Sequence, residues 1–101
     1  MIRLKPNEAE EYIRHHKAVW PGVLLMISAC NIRNYSIYFK DNYLFTYFEY
    51  TGRDFEADMA KMASDPETQG WWDVVKPLME PLESRIDGEF WASMEEVFHL
   101  D

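Results

Sequence analysis

The chain of 101 residues contains one cysteine, four glycines and ten basic residues, and it has no long apolar run. Cys30 cannot form an internal disulfide, so it is interpreted as a small buried hydrophobic residue in a reducing compartment. No apolar run reaches the length of about 20 residues that a membrane-spanning helix needs, and the N-terminus lacks the apolar segment of a signal peptide. We therefore expect a cytoplasmic protein that does not contact membranes.

The shortage of basic residues limits the possible ligands. Eighteen acidic residues against ten basic ones give a formal net charge of −8. Nucleic acids and anionic membrane surfaces are bound by basic patches, so the charge argues against both classes of partner. The four glycines form no phosphate-binding loop, and the sequence has no exposed nucleophile motif of the serine hydrolase type. A small neutral ligand fits this composition best.

Apolar residues, by contrast, are plentiful. Hydrophobic residues make up 48% of the chain and aromatic residues 16%, which is typical of a folded domain with a packed core. No linker, internal repeat or low-complexity segment divides the sequence. Residues 1–101 are therefore expected to form a single domain.

The periodicity of apolar residues predicts alternating strands and helices. In chain order we expect a strand at Met1–Lys5, a helix from Asn7 to about Trp20 that kinks or restarts at Pro21 and continues to about Ala29, strands at Arg33–Lys40 and Tyr43–Tyr50, a helix from Asp54 to about Ser64, a helix from Asp65 to about Lys76, a surface loop at Glu80–Ala92 and a final strand at Ser93–Leu100.

Four local signals support these boundaries. Asn7, with Glu10 three residues later, has the pattern of a capping box at the start of the first helix. Asp41-Asn42 is a two-residue connection suited to a β-hairpin. Asp54 and Asp65 are N-cap residues for the two later helices, and a proline follows Asp65 directly.

The order of elements indicates an α+β fold of the ferredoxin-like βαββαβ type. Four antiparallel strands would form one sheet, with the helices on one face. Neither strand of the hairpin has a clearly polar side, so the sheet needs a second covering layer that this chain is too short to supply. A second subunit packed sheet to sheet would provide the layer, which predicts a homodimer in the form of a dimeric α/β barrel.

A histidine lies within the apolar stripe of the first predicted helix. Tyr12, His16 and Trp20 are four residues apart, so their side chains would lie along one line of the helix. His15 would point about 100° away, nearer to solvent. An imidazole between a phenol and an indole suits proton transfer to a small polar ligand, and the competing interpretation is a hydrogen-bonded histidine of the core.

Other candidate residues are ambiguous by themselves. Trp71 and Trp72 are adjacent on a helix and point about 100° apart, so one can pack in the core while the other lines a cavity. Tyr35 could present its hydroxyl to a ligand or pack within the sheet. Glu11 and His15 could be half of a metal site, but the sequence supplies no further ligands at familiar spacing, so we predict no metal.

Taken together, these residues resemble the L-rhamnose mutarotase family over nearly the whole chain. The resemblance rests on Tyr12-x-x-x-His16-x-x-x-Trp20-Pro21, Asn34-Tyr35-Ser36-Ile37-Tyr38, Leu44-Phe45, Glu49, Trp71-Trp72 and Met94-Glu95-Glu96-Val97-Phe98-His99-Leu100. It implies a dimeric ferredoxin-like barrel that exchanges the α and β anomers of a neutral 6-deoxy sugar, a reaction that requires no cofactor. It casts His16 as the proton donor. The substrate contacts it implies are Tyr12, Tyr35, Trp71 and Trp72.

The chain departs from the family pattern in two places. Gly22 follows Trp20-Pro21 where the family usually has an acidic residue, and the first strand is shorter than in the family.

Trp20 and Glu49 are candidates for residues that support the site without contacting the ligand. A second proton carrier is also needed, and Glu49, Tyr35 and a bound water are all possible.

Two other functions are compatible with the pattern. A cofactor-free oxygenase also uses small dimeric barrels with histidine, tryptophan and asparagine in the cavity. A non-catalytic sugar-binding domain would need the same aromatic residues. The sequence also leaves the sugar open between L-rhamnose, L-fucose and another neutral hexose, because one hydroxyl configuration is distinguished by only one or two hydrogen bonds.

Overall fold

The computed structural model describes residues 1–101, which have an α+β fold built on a four-stranded antiparallel sheet. From one edge of the sheet to the other, the strands are the second, third, first and fourth in the chain, which agrees with the predicted ferredoxin-like arrangement. None of the four helices has the length and apolar character needed to cross a bilayer. The elements are β1 (Ile2–Leu4), α1 (Ala9–His16), α2 (Pro21–Ala29), β2 (Ile32–Lys40), β3 (Tyr43–Tyr50), α3 (Phe55–Ala63), α4 (Pro66–Val75), one 3-10 turn (Lys76–Leu78) and β4 (Met79–Glu80).

The longest part of the sheet is the predicted β2–β3 hairpin. Its two-residue turn has φ values of 53° at Asp41 and 67° at Asn42, and this left-handed pair is the backbone of a type I′ turn that asparagine and aspartate tolerate. Opposite residues include Phe39 with Leu44 and Tyr38 with Phe45. The prediction of this hairpin is confirmed.

The helices cover one face of the sheet. Strand residues on that face, such as Ile2, Leu4 and Leu44, are at most 1% exposed, and they pack with helix residues in one hydrophobic cluster. On the opposite face Tyr38 is 61% exposed and Tyr47 is 56% exposed. The single chain therefore leaves one face of its sheet uncovered, as the sequence predicts.

Two aspartates begin the later helices. The Asp54 carboxylate accepts a hydrogen bond of 3.1 Å from the Ala57 backbone N–H at the start of α3. The Asp65 carboxylate accepts bonds from both the backbone N–H (3.0 Å) and the hydroxyl (2.8 Å) of Thr68 at the start of α4. Both predicted N-caps are confirmed.

The predicted first helix is wrong at both ends. Asn7 has φ 66° and makes no cap; Glu8 precedes α1 without a side-chain cap bond, so the capping box with Glu10 does not form. The helix ends at His16, and Trp20 is extended with ψ 133°. Pro21 accounts for the extended Trp20, because a proline disfavours helical geometry in the residue before it, and the proline begins α2 as the predicted restart requires.

The predicted last strand is also wrong. The fourth strand is Met79–Glu80, which ends at the first residue of the expected loop and pairs with β1. Residues 93–101 form no strand, and Val97, Phe98 and Leu100 are 80% exposed or more. The alternating pattern misled the prediction because β1 already has a neighbour on each side, β3 and β4, so the final segment has no partner at the centre of the sheet.

We expect Asp65→Ala to destabilise the fold by about 2 kcal/mol, because it removes a helix cap and leaves the hydroxyl of Thr68, a residue only 2% exposed, without its partner. Urea denaturation followed by circular dichroism would measure the loss. Asp54→Ala is the matched control and should cost only about 1 kcal/mol, since its cap serves one exposed N–H. An equal loss in the two variants would contradict the role of Thr68.

Candidate active site

His16 is held in place by its own helix. Its Nδ1 lies 2.8 Å from the backbone carbonyl oxygen of Tyr12, one turn earlier. A carbonyl can only accept, so Nδ1 carries the proton and Nε2 of the neutral ring has a free lone pair. The Tyr12 ring stacks on the imidazole with centroids 4.1 Å apart and an interplanar angle of 25°. The ring is therefore fixed in orientation and in tautomer.

Helix α4 brings an indole against this imidazole. The Trp71 ring meets His16 edge-on at a centroid distance of 5.2 Å, and Trp71 is only 6% exposed. Trp20 contacts the same indole edge-on at 5.5 Å. Trp20 is not on the helix of His16 as predicted, but its ring still contacts Trp71, which in turn contacts His16.

Two cavities border His16. The larger, of about 410 Å³, lies between α2, β2 and the end of α1, and the smaller, of about 220 Å³, lies between α1 and the sheet. Residues that line the larger cavity are His16, Val19, Val23, Leu24, Ile27, Ser28, Ile32, Arg33, Asn34, Tyr35, Ile37 and Trp71. The smaller is lined by Tyr12, Ile13, His16, Lys17, Ile37, Phe39 and Leu44.

The structure thus brings four of the predicted site residues together around one ring. His16, Tyr35 and Trp71 share the larger cavity, and Tyr12 lines the smaller one. Trp72 lines neither cavity. The Lys76 ammonium lies 4.3 Å from the centroid of its ring instead.

Glu49 also lies outside both cavities, but it contacts a residue that lines one. Its Oε1 accepts a bond of 2.8 Å from the side-chain amide of Asn34, and its Oε2 accepts one of 3.0 Å from the Tyr47 hydroxyl. Asn34 has φ 49° at an irregularity between Arg33 and Ser36 in the β2–β3 pairing. Glu49 therefore orients Asn34 rather than facing the cavity itself.

Asn34 and Arg33 are cavity residues that the sequence analysis did not assign. Arg33 donates bonds of 2.9 Å to the backbone carbonyls of Ser28 and Ile32, which ties the end of α2 to β2. An asparagine inside a strand is a recognisable signal for a bulge, because it tolerates left-handed geometry. No comparable signal exists for Arg33, whose position depends on where α2 ends.

Burial favours the uncharged forms of the imidazole and the two phenols that line the cavities. It lowers the pKa of His16 below its usual 6.5, an effect that the bond to the Tyr12 carbonyl opposes and the nearby His15 reinforces. Burial raises the pKa of Tyr12, with a smaller contribution from Tyr35, and it raises the pKa of Tyr35 although 44% of that residue is exposed. At neutral pH the site therefore offers a neutral imidazole base and protonated phenols.

The residues suggested as half of a metal site contact each other on the surface of α1. His15 Nε2 lies 3.2 Å from Glu11 Oε1, and the same oxygen also accepts a bond from Arg14. The bond to Arg14 is the main cause of a lowered pKa of Glu11. Residues 1–101 contain no cluster of three or more potential metal-ligating side chains.

We expect His16 to titrate below pH 6.5 and to carry its neutral-state proton on Nδ1. Because the unfolded chain binds this proton near pH 6.5 and the folded chain only at lower pH, His16 lowers the stability of the fold as the pH falls below about 6.5. Nitrogen-15 NMR of the imidazole across a pH titration measures both properties. A neutral ring protonated on Nε2, or a pKa above 6.5, would contradict the assignment.

Comparison with known proteins gives matches over nearly the whole chain. Residues 1–100 match the family model described as L-rhamnose mutarotase. The chain is 36% identical to the L-rhamnose mutarotase of Phocaeicola vulgatus, over 97% of this chain and 91% of that protein, and 32% identical to that of Oceanobacillus iheyensis, over 100% and 94%. The crystal structure of the L-rhamnose mutarotase from Formosa agariphila has the same fold, with a TM-score of 0.76 at 21% identity over 99% of this chain and 93% of that one. The chain belongs to the L-rhamnose mutarotase family.

Proposed function

We propose that this chain interconverts the α and β anomers of L-rhamnose, with His16 as the group that moves the proton. The observation that carries the proposal is the geometry of the imidazole. Nδ1 is committed to the Tyr12 carbonyl, so the basic Nε2 is the nitrogen left to act on a ligand in the adjoining cavity. A neutral ligand also suits a chain with a net charge of −8.

Mutarotation requires the ring of the hemiacetal to open and close again. Nε2 of His16 accepts the proton of the anomeric hydroxyl, the C1–O5 bond breaks, and a second proton carrier protonates O5 to give the open-chain aldehyde. Rotation about C1–C2 presents the other face of the carbonyl to O5. The ring then closes as the other anomer when the second carrier takes back the O5 proton and the His16 imidazolium acts as the proton donor to the carbonyl oxygen. No proton is gained or lost overall.

The barrier that the protein must lower is modest. General acid–base catalysis supplies roughly 10²- to 10⁴-fold in rate, or about 3–5 kcal/mol, which is a useful gain for a reaction that already proceeds in water. A base with a pKa somewhat below neutrality is present in its neutral form at pH 7. His16 with its lowered pKa meets that condition.

The phenols are proposed to bind and orient the sugar. Protonated Tyr12 and Tyr35 can donate hydrogen bonds to sugar oxygens, and the face of Trp71 can pack on sugar C–H groups. Tyr35 borders the larger cavity and Glu49 does not, so Tyr35 is the better candidate for the second proton carrier. Trp72 is not included in this pocket, and its role as a sugar contact depends on the family resemblance alone.

Two residues are proposed to support the site indirectly. Trp20 packs edge-on against Trp71 and limits movement of the indole beside His16. Glu49 accepts a hydrogen bond from the side-chain amide of Asn34, and this contact fixes the bulge that precedes Tyr35 in β2. Both residues act on a neighbour of the ligand rather than on the ligand.

We also propose that the protein works as a homodimer in the cytoplasm. The uncovered sheet face carries the exposed rings of Tyr38 and Tyr47, and the segment 93–101 carries the exposed Val97 and Phe98. A second copy of the chain would remove this apolar surface from water. The single buried free cysteine, Cys30, is consistent with a reducing compartment.

His16→Asn should lower the rate of anomer exchange by roughly 10²- to 10⁴-fold, because it removes the proton carrier while keeping a polar side chain of similar size. Saturation transfer between the two anomeric NMR signals of L-rhamnose measures the rate. His15→Asn is the matched control and should be nearly silent. Unchanged exchange in His16→Asn, or an equal loss in both variants, would exclude this assignment.

Two other measurements distinguish the mutarotase from the two alternative functions. Tight binding of L-rhamnose without faster anomer exchange would identify a non-catalytic sugar-binding domain. Oxygen consumption with a readily oxidised aromatic substrate, in place of anomer exchange, would identify a cofactor-free oxygenase.

Sedimentation velocity should give a mass near twice the 12.1 kDa of the chain. Tyr38→Asp should shift the species toward monomer, because it places a charge at a position that is 61% exposed on the uncovered sheet face. Leu25→Asp, on the exposed side of α2 at 72% exposure, is the control and should leave the mass unchanged. A monomeric wild-type chain at micromolar concentration would refute the proposal.

A further inference from the structure

The wall that α2 contributes to the larger cavity is aliphatic. Val23, Leu24 and Ile27 line it from the helix, and Val19 continues it from the preceding connection. None of these side chains can donate or accept a hydrogen bond. The wall is therefore apolar where it could touch a ligand.

The polar groups of the same cavity are on other elements or at the end of this helix. His16 comes from α1, the consecutive residues Arg33, Asn34 and Tyr35 come from β2, and Ser28 is in the last turn of α2. Ile32, Ile37 and Trp71 also line the cavity, but the polar groups are grouped away from the aliphatic stretch of residues 19–27. Such an arrangement fixes the orientation of a ligand that itself has one apolar group and several hydroxyls.

The chemistry of the sugar connects the apolar side to the reaction. In a 6-deoxy sugar the methyl carbon C6 is attached to C5, which is bonded to the ring oxygen that must be protonated. A sugar placed with its anomeric hydroxyl and ring oxygen near Nε2 of His16 therefore carries its methyl group only two bonds from the reacting oxygen. The part of the aliphatic wall close to His16 is then within reach of the methyl group.

We propose that the aliphatic wall of Val19, Val23, Leu24 and Ile27 selects sugars that have a methyl group at C6 over sugars that have a hydroxymethyl group there. This inference rests on the proposed function. A hydroxyl at C6 would lose its hydrogen bonds to water and find no partner on the wall. The selection is therefore an effect of exclusion as well as of apolar contact.

Comparison of L-rhamnose with L-mannose tests the proposal, because the two sugars differ only by the hydroxyl at C6. The wild-type protein should prefer L-rhamnose in kcat/KM for anomer exchange by on the order of 10- to 100-fold. Val19→Thr, which exchanges a methyl for a hydroxyl at nearly constant volume, and Leu24→Asn should each lower that preference by roughly fourfold or more, the equivalent of one buried methylene group.

Matched controls exist for both substitutions. Val74, like Val19, is partly buried and packs against the core, but it lines neither cavity. Leu25, the neighbour of Leu24 on α2, is 72% exposed and also lines neither cavity. Val74→Thr and Leu25→Asn should keep the wild-type preference. The ratio of the two kcat/KM values within one variant cancels any difference in the amount of folded protein.

The outcomes separate this inference from the proposed function. Equal acceleration of both sugars by the wild type would overturn the selection by the wall while the mutarotase activity stands. The same holds if the control variants change the preference as much as Val19→Thr and Leu24→Asn do. Acceleration of neither sugar would overturn the proposed function itself, and the inference with it.

Discussion

The site depends on one hydrogen bond inside a helix, between Nδ1 of His16 and the carbonyl oxygen of Tyr12. A backbone carbonyl has two lone pairs, so the Tyr12 oxygen can accept a hydrogen bond from a side chain in addition to a helical one. Tyr12 and His16 are four residues apart on α1, which places the imidazole beside that oxygen. The spacing within the helix therefore decides which nitrogen faces the cavity.

Pro21 separates the two helices that border the larger cavity. The proline disfavours helical geometry at Trp20, which is extended, and it is the first residue of α2. The break opens a space between α1 and α2 that the larger cavity occupies, and it frees Trp20 to support Trp71 from behind. A continuous helix would have kept Trp20 in line with Tyr12 and His16.

The sequence predicted the fold well where the signals were local. The hairpin turn at Asp41-Asn42 and the caps at Asp54 and Asp65 depend on side chains a few residues from the backbone they shape. The last strand was misplaced because strand pairing depends on which edges are free, a property of the whole sheet. A strand of only two residues, such as Met79–Glu80, has no alternating pattern that a sequence could reveal.

For the site, the sequence identified the residues of one helix face and of the family motifs. It could not show that Glu49 contacts Asn34 rather than the cavity, since this follows from the bulge in β2. It could not separate Trp71 from Trp72 either, because adjacent helix positions differ only in direction and the direction of the core is a tertiary property.

The lengths of the strands give the domain two unequal halves. The hairpin strands have nine and eight residues, whereas β1 has three and β4 two. Tyr35 belongs to the long hairpin, but His16 and Trp71 belong to helices that pack on the short strands. Partial opening of the short-strand edge would cost few ladder bonds and would separate the imidazole from the tyrosine. Loss of that edge would therefore disturb the pocket before it disturbed the hairpin.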